Sequence, residues 1–423
     1  MTMKLKKYVT LYIKETAAVM RNEYREIFSD GGVMLIMIFA LFIYATLYGL
    51  AYGNQVLRNV PLGVIDNSNT SSSRTLVESF NAGPNTYVAY EVADMEEAKK
   101  LFYEREIYGI VYIPEDYERK LEGGMQANVG LYCDASYFLM YRQVFQEIVG
   151  AISSKGVMVE FQRLVAKGIN TYQARNVSQP VIYQSHNLFN PYLGYGTFVM
   201  PAIIIVIIQQ TLLIGIGMIG GTWREFNLYH KLTPHGQARM STIPVVLGKA
   251  LTYFSIYAVS VSYILTIHYH LYKYPMNGNP LTIIALILPY LLACIFLSIA
   301  VSTLFSKREN SILWLLWTSI IILLLSGVSY PGEAIPEWLF NFGKIFPSSH
   351  AVDAFIRVQD MGAGIDDIMP QIAALWQQVF IYGGVALIAI HFVLNRELTE
   401  RIKSRVAKMG KAAPKQMLKK LKK

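Results

Sequence analysis

The chain has 423 residues, 53% of them apolar and only 16% charged, and carries a formal net charge of +9. That usage lies on the membrane side of ordinary globular proteins and excludes a single soluble core. The positive charge reads as membrane topology and lipid contact, and it requires no nucleic-acid partner.

Residues 1–28 form a polar leader with six Lys and Arg against three acids. Leu5, Val9, Ile13, Met20, Tyr24 and Phe28 fall near helical spacing, while Lys6, Lys7, Lys14, Arg21 and Arg25 lie mostly elsewhere. This predicts a basic amphipathic helix, lying in the headgroup layer or packed on the ends of the spans. Residues 33–52 then contain no charge, and Tyr44, Tyr48 and Tyr52 gather toward the far end as at an interface. The run is long enough to cross about 30 Å of hydrocarbon and longer than a signal-peptide core, so 29–53 is assigned to the first transmembrane helix.

Residues 54–190 are different. Across 53–190 twelve basic and fifteen acidic residues leave no positive excess, which places the segment outside the cytoplasm. "PLGVI" (61–65) reads as a strand, "SSSRTLVESF" (71–80) as a helix with Leu76, Val77 and Phe80 on one face, and "TYVAYEV" (86–92) as a strand. A helix over 94–106 follows, with Asp94 as N-cap and Glu97 completing a capping-box-like start. Strand 108–113, a helix opened by Pro114 and strand 128–134 complete the alternation, and helical patterning resumes from about 138 to 175. The expectation is a small inserted α/β domain with a mostly parallel sheet.

Five more charge-free runs follow at 194–222, 250–272, 281–306, 311–330 and around 376–394, making six spans. Pro201, Gly215, Gly217 and Pro289 inside them are tolerated where neighbouring helices satisfy the freed backbone groups. Between the second and third spans lies a basic loop with Arg224, Lys231, Arg239 and Lys249 against Glu225, and "SKREN" (306–310) is a second basic turn on the same side. Residues 331–360 are proline-punctuated, with Ile335, Trp338, Leu339 and Phe342 at helical spacing. The segment is too short to span and is expected to form one or two interfacial or re-entrant helices. The tail 396–423 carries eleven basic residues against two acids. Both termini are therefore expected in the cytoplasm. The fold class is an α-helical polytopic membrane protein with six transmembrane helices, 191–395 holding spans two to six, plus the extracytoplasmic α/β insert.

Catalytic chemistry finds little support. Asp66, Ser68, Ser71, Ser72, Ser73 and Arg74 supply nucleophile types, but the nearest histidine in sequence is His186 and no G-x-S-x-G elbow is present. A turn after a strand and a serine cap at the next helix explain these residues, with Ser72 as the cap. His268 and His270, two apart on a helix, face different sides, and His230, His235, His350 and His391 read as interface packing. Cys133 and Cys294 sit in no metal spacing, and a disulfide between them is not expected. "GKAL" at Gly248 lacks the earlier glycine and the hydroxyl residue of a phosphate-binding loop. No catalytic residue, cofactor or metal site is assigned in this chain. The six runs hold no charge of the kind that marks an ion pathway.

"VPLGVIDNSNTSSSRTL", "EAKKLFYEREIYGIVYIPEDYERKLEGG", "VGLYCDASYFLMYRQV" and "SGVSYPGEAIPEWLFNFGKIFPSSHAVDAFIRV", in this order and spacing, resemble the permease subunits of bacterial type-2 ATP-binding-cassette exporters with a large extracytoplasmic domain between spans one and two. The resemblance covers nearly the whole chain. It implies an inner-membrane exporter of two permeases, identical or paralogous, and two cytoplasmic ATPase subunits that bind ATP and Mg. A periplasmic membrane-fusion adaptor and an outer-membrane channel often accompany them. It also implies that the leader is an elbow helix and that Arg224, Glu225, Tyr229 and Lys231 form the loop coupling the permease to its ATPase. Pro331, Glu333, Pro336, Pro347 and Arg357 would mark outer helices closing the exit, and Asp66, Ser72, Arg74 and Asp134 structural positions of the insert. "REFNLYHKL" departs from the acidic stretch with glycine and threonine that often follows the Arg-Glu pair. The resemblance implies as substrate a drug, lipid, glycan or peptide, and the sequence does not choose among them. A ligand receptor or sensor anchored by the spans is the competing class, and a membrane enzyme a third that lacks a catalytic constellation.

Overall fold

The computed structural model describes residues 2–232 and 238–408, without the side chains of 2–9, 230, 231, 238–240, 401, 402 and 404–408. His235 and the tail beyond 408 lie outside the described residues, as do the side chains of Leu5, Lys6, Lys7, Val9, His230, Lys231 and Arg239. The chain forms two compact units, one from residues 1–53 and 188–423, the other from Asn54–Asn187.

The first unit begins with α1 (Thr2–Ser29). Helix α2 (Gly31–Ala51) is the first of six helices, among the described residues, that are long and apolar enough to cross a membrane. The others are α8 (Tyr195–Glu225), α9 (span Ser241–Leu271 of a helix starting at Ala238), α10 (Pro280–Ser302), α11 (Arg308–Leu325) and α14 (span Asp366–Glu400, its α-helix running Met369–Lys408). These match the six charge-free runs, with differences at their ends. Helix α9 starts earlier than the run and takes in Lys249, which the sequence places in a loop. Helix α11 starts at Arg308, within the expected basic turn.

Helix α8 is the hub, buried along nearly its whole length and packed on α10, α11 and α2. Helices α2, α11 and α14 present broad apolar surfaces, with Leu313, Trp314, Trp317 and Ile320 of α11 all exposed. A π-turn interrupts α2 at Leu35–Phe39 and another interrupts α9 at Ile264–His268. Near the second, the His268 ring nitrogen Nε2 lies 2.8 Å from the Ala45 carbonyl of α2. His270 points to the exposed side.

In the second unit, β1 (Val60–Asp66), α3 (Ser71–Ala82), β2 (Thr86–Glu91), α4 (Met95–Tyr103), β3 (Gly109–Ile113), α5 (Tyr117–Glu122) and β4 (Gly130–Cys133) follow one another, and α6 (Phe138–Ala166) and α7 (Thr171–Ser178) complete it. The sheet order is β2-β1-β3-β4. β1 pairs parallel with β2 (Leu62↔Val88) and with β3 (Val64↔Val111), and β4 closes the sheet antiparallel (Val111↔Leu131). Because side chains alternate along a strand, Val60, Leu62, Val64, Val111 and Ile113 form one core with Leu76, Phe80, Val144 and Ile148. Ile65 and Ile110 face the other way, toward Val92 and Ala98. Both faces are covered, which explains why the central strands read as continuous apolar runs.

The stretch after β1 corrects one expectation. Thr70, not Ser72, is the N-cap of α3: its side chain accepts from the Ser73 N–H, and Ser73 returns the bond to the Thr70 N–H in a closed capping box. The Ser72 hydroxyl instead donates to Glu118 Oε1 at 2.8 Å. Asp94 caps α4 as read, accepting from the Glu97 N–H at 2.9 Å, and Glu97 reaches back to the Ala93 N–H.

Residues 331–360 form a 3-10 turn (Gly332–Ala334), α12 (Glu337–Gly343) and α13 (Pro347–Gln359). Helix α13 packs on α8 and α10, and its Ser348 N–H donates to Gln209 Oε1, near the middle of α8, at 2.8 Å.

Candidate functional site

A buried polar constellation lies at the end of the first unit where α1, the C-terminus of α8, the start of α9 and the C-terminal half of α14 meet. Helix α8 ends at Glu225, and the chain turns through a short 3-10 segment, Tyr229–Leu232. Tyr229 and Leu232 are buried, and this turn packs on α14. The Tyr229 ring meets the Trp223 ring edge-on, centroids 5.8 Å apart. Lys249 Nζ sits 5.2 Å from the centre of the Trp223 ring and 2.5 Å from Glu23 Oε1 of α1. The other Glu23 oxygen accepts from the Tyr253 hydroxyl at 2.5 Å. Glu23 is wholly buried and Lys249 nearly so, so each charge depends on the other for compensation.

Burial first, then the Glu23 and Glu397 carboxylates, pushes the Tyr229 phenol well above its ordinary range.

Arg224 reaches away from this cluster and donates to the Thr303 carbonyl at the end of α10 at 2.5 Å, satisfying a terminal carbonyl. Glu225 is exposed. Arg224, Glu225 and Tyr229 thus share one turn, while Lys231 is described by its backbone alone. Glu23 and Trp223 are not singled out by the sequence, and Lys249 is read there only as a residue of the basic loop. Their signal is faint: Glu15, Val19, Glu23 and Ile27, one helical turn apart, are the buried face of α1, and two acids on that face are a cue that a buried cation waits opposite.

A second clamp joins α2 to α11. Asp30 caps α2 by accepting from the Gly32 and Val33 N–H groups at 2.9 and 3.1 Å. Both its oxygens also accept from the Arg308 guanidinium. That guanidinium holds the Asp30 carboxyl below its usual range.

The residues assigned to the exit do not converge. Pro331, Glu333 and Pro336 are exposed, Pro347 is buried at the first turn of α13, and Arg357 is exposed and paired with Asp353 at 3.1 Å. In the second unit Asp66 accepts from the Ser68 and Asn69 N–H groups and from the Ser73 hydroxyl, and Arg74 donates to the Asn69 carbonyl. Asp134 lies at the opposite end of the sheet, since Asp66 pairs at Ile113 while Cys133 pairs at Gly109. There it accepts from the Ser136 N–H and hydroxyl. These are turn-forming bonds, in which serine hydroxyls donate to carboxylates, Ser73 to Asp66 as Ser72 does to Glu118. Cys133 and Cys294 are both free thiols, and burial raises Cys133 to about 11.

Residues 32–388 match the family described as ABC-2 family transporter protein. The chain is also 22% identical over 349 residues to a protein of Escherichia coli (strain K12) described as "Probable multidrug ABC transporter permease YbhR", an alignment covering 82% of this chain and 90% of that protein. The protein of the same description from Escherichia coli O157:H7 matches to the same extent.

Proposed function

The chain belongs to the ABC-2 transporter family, and from that premise we propose that it is the permease subunit of an ATP-driven exporter of the bacterial inner membrane. Both termini lie in the cytoplasm, unit 54–187 lies outside, and a second permease, identical or paralogous, completes the path. ATP and Mg are bound by separate ATPase subunits. The cargo is a drug-like molecule, a class suggested by the description of the Escherichia coli relative. A periplasmic adaptor and an outer-membrane channel extend the assembly.

The observation that carries this reading is the turn after α8. Arg224, Glu225, Tyr229 and Lys231 sit where one short segment is fastened to the end of α10 by Arg224, to Trp223 of α8 by the Tyr229 ring and to α14 by the packing of the turn. A push on such a turn reaches three membrane helices at once. Nucleotide binding that closes the ATPase pair moves the turn, and the permease follows because the two states differ in affinity for nucleotide. Pro331, Glu333, Pro336, Pro347 and Arg357 belong to the segment that closes the outer end of the path. Asp66, Arg74 and Asp134 hold the outer unit's turns, and Ser72 ties α3 to α5.

Purification of the tagged chain from its native membrane tests the reading: an ATPase subunit is expected to co-elute, and export of a fluorescent dye to stop when that subunit's gene is deleted. Export that survives the deletion refutes it.

A further inference from the structure

The pair Gly248–Lys249, which fails as a phosphate-binding loop, has a use where α1 crosses α9. A Cβ on Gly248 would lie 2.7 Å from the Val19 Cβ and 2.9 Å from the Thr16 carbonyl oxygen. The two backbones therefore approach more closely than any side chain at 248 permits. One residue on, Lys249 meets Glu23, and one turn further Tyr253 takes the second Glu23 oxygen. The Tyr24 hydroxyl and Ser255 Oγ share a hydrogen bond alongside. A single acid of α1 is thus held at both oxygens by two residues of α9.

Apolar packing alone does not select this arrangement. The buried face of α1 is Glu15, Val19, Glu23 and Ile27, and a slide of one turn, about 5.4 Å, would bring one of these residues to its neighbour's place. Val19 or Ile27 would then face Lys249, leaving a buried cation unpaired, at a cost of several kcal/mol. The ion pair does little for net stability compared with well-packed apolar residues, but it forbids the slipped register.

We infer that Glu23 and Lys249 are positioning residues that lock the register of α1 on α9. Through the Lys249–Trp223–Tyr229 stack they make α1 and the turn after α8 move as one body. The inference rests on the permease reading above, and it assigns to the leader helix a part in transmitting the ATPase stroke rather than anchorage alone.

The test uses the intact permease–ATPase complex in lipid nanodiscs, reading thermal unfolding and ATP hydrolysis per complex. Glu23→Leu, which strands Lys249, is expected to lower both. The double variant Glu23→Leu/Lys249→Met, compared with the single one in a Tyr253→Phe background so that no buried hydroxyl loses its Glu23 acceptor, removes both charges at similar volume. It is expected to recover the melting temperature while hydrolysis stays down about tenfold, a usual size for a coupling term. If the double variant hydrolyses ATP to within about twofold of wild type, the lock is refuted. A double variant as unstable as the single one also overturns it, because the pair would then carry stability rather than position. Should Glu23→Leu fail to accumulate, the double variant alone decides. Wild-type chain that retains no ATPase would instead defeat the permease reading, so the two failures are distinct.

Discussion

Replacing Asp30 separates two roles of one carboxylate. Asp30→Asn keeps an oxygen for the Gly32 and Val33 N–H groups but loses the charge that faces Arg308, whereas Asp30→Ala loses both. Hydrogen bonds to charged groups contribute about 1.5–3 kcal/mol. With side-chain exposures of 26% and 28%, solvent trims this to about 1–2 kcal/mol for the Asn variant. The lost cap adds about 1 kcal/mol, so Ala is expected to cost about 2–3 kcal/mol. Equilibrium unfolding in mixed detergent micelles at pH 7 gives the comparison. The pH dependence has a definite sign. Arg308 holds the folded carboxyl below its ordinary value of about 3.9, so its contribution is present above that value and lost as pH falls through the lower folded one. The gap between wild type and Asn should accordingly narrow in acid. An Asn variant as stable as wild type at pH 7, or an Ala variant no worse than Asn, refutes the clamp.

Three further outcomes are expected. Thr70→Ala should cost about 1 kcal/mol and speed amide exchange in the first turn of α3, whereas Ser72→Ala should leave that turn protected and loosen only the contact with Glu118. Gly221→Ala should destabilise by about 1–3 kcal/mol in the same micelle unfolding, because its Cβ would lie 2.8 Å from the Lys307 carbonyl oxygen and 3.0 Å from the Arg308 Cα, backbone atoms that cannot rotate aside. Asp360 is buried at the end of α13 with its Oδ1 unbonded among the described residues, and burial pushes its carboxyl up to about 7. A raised acid is accommodated below its unfolded value and costs stability as pH rises toward the folded one. Asp360→Asn should therefore gain on wild type between about pH 4 and 7 and match it in acid, read as melting temperature against pH.

The six spans were legible because an uninterrupted apolar run has few other uses. The elements of the insert were legible too, since its periodicity switches between two and 3.6 residues. Alternation, however, gives no strand direction, so the antiparallel seat of β4 emerges only from its pairing. The serine run shows why caps are hard to read: four consecutive hydroxyl residues, Thr70 to Ser73, precede the apolar face, and the one that caps is fixed by where the helix begins, at Ser71. Among the candidate site residues, Arg224 and Tyr229 stand in a recognisable turn. Glu23 and Lys249 are far apart in sequence, and only the crossing at Gly248 brings them together. Lys249 reads as a loop residue because an unpaired lysine would end a span. Its partner on another helix lets the span begin earlier.

The bond between Ser348 and Gln209 also bears on the order in which the protein can assemble. Free N–H groups at a helix start cost several kcal/mol each in hydrocarbon, and α13 begins with Pro347, which has none, followed by Ser348, whose N–H already has an acceptor waiting on α8. Such a segment has no way into the bilayer by itself. It enters only once α8 and α10 stand together, and both precede it from the ribosome. The sequence order of the elements is then also a construction order: α8 and α10 first, residues 331–360 against them, and α14, which packs on α13, after both.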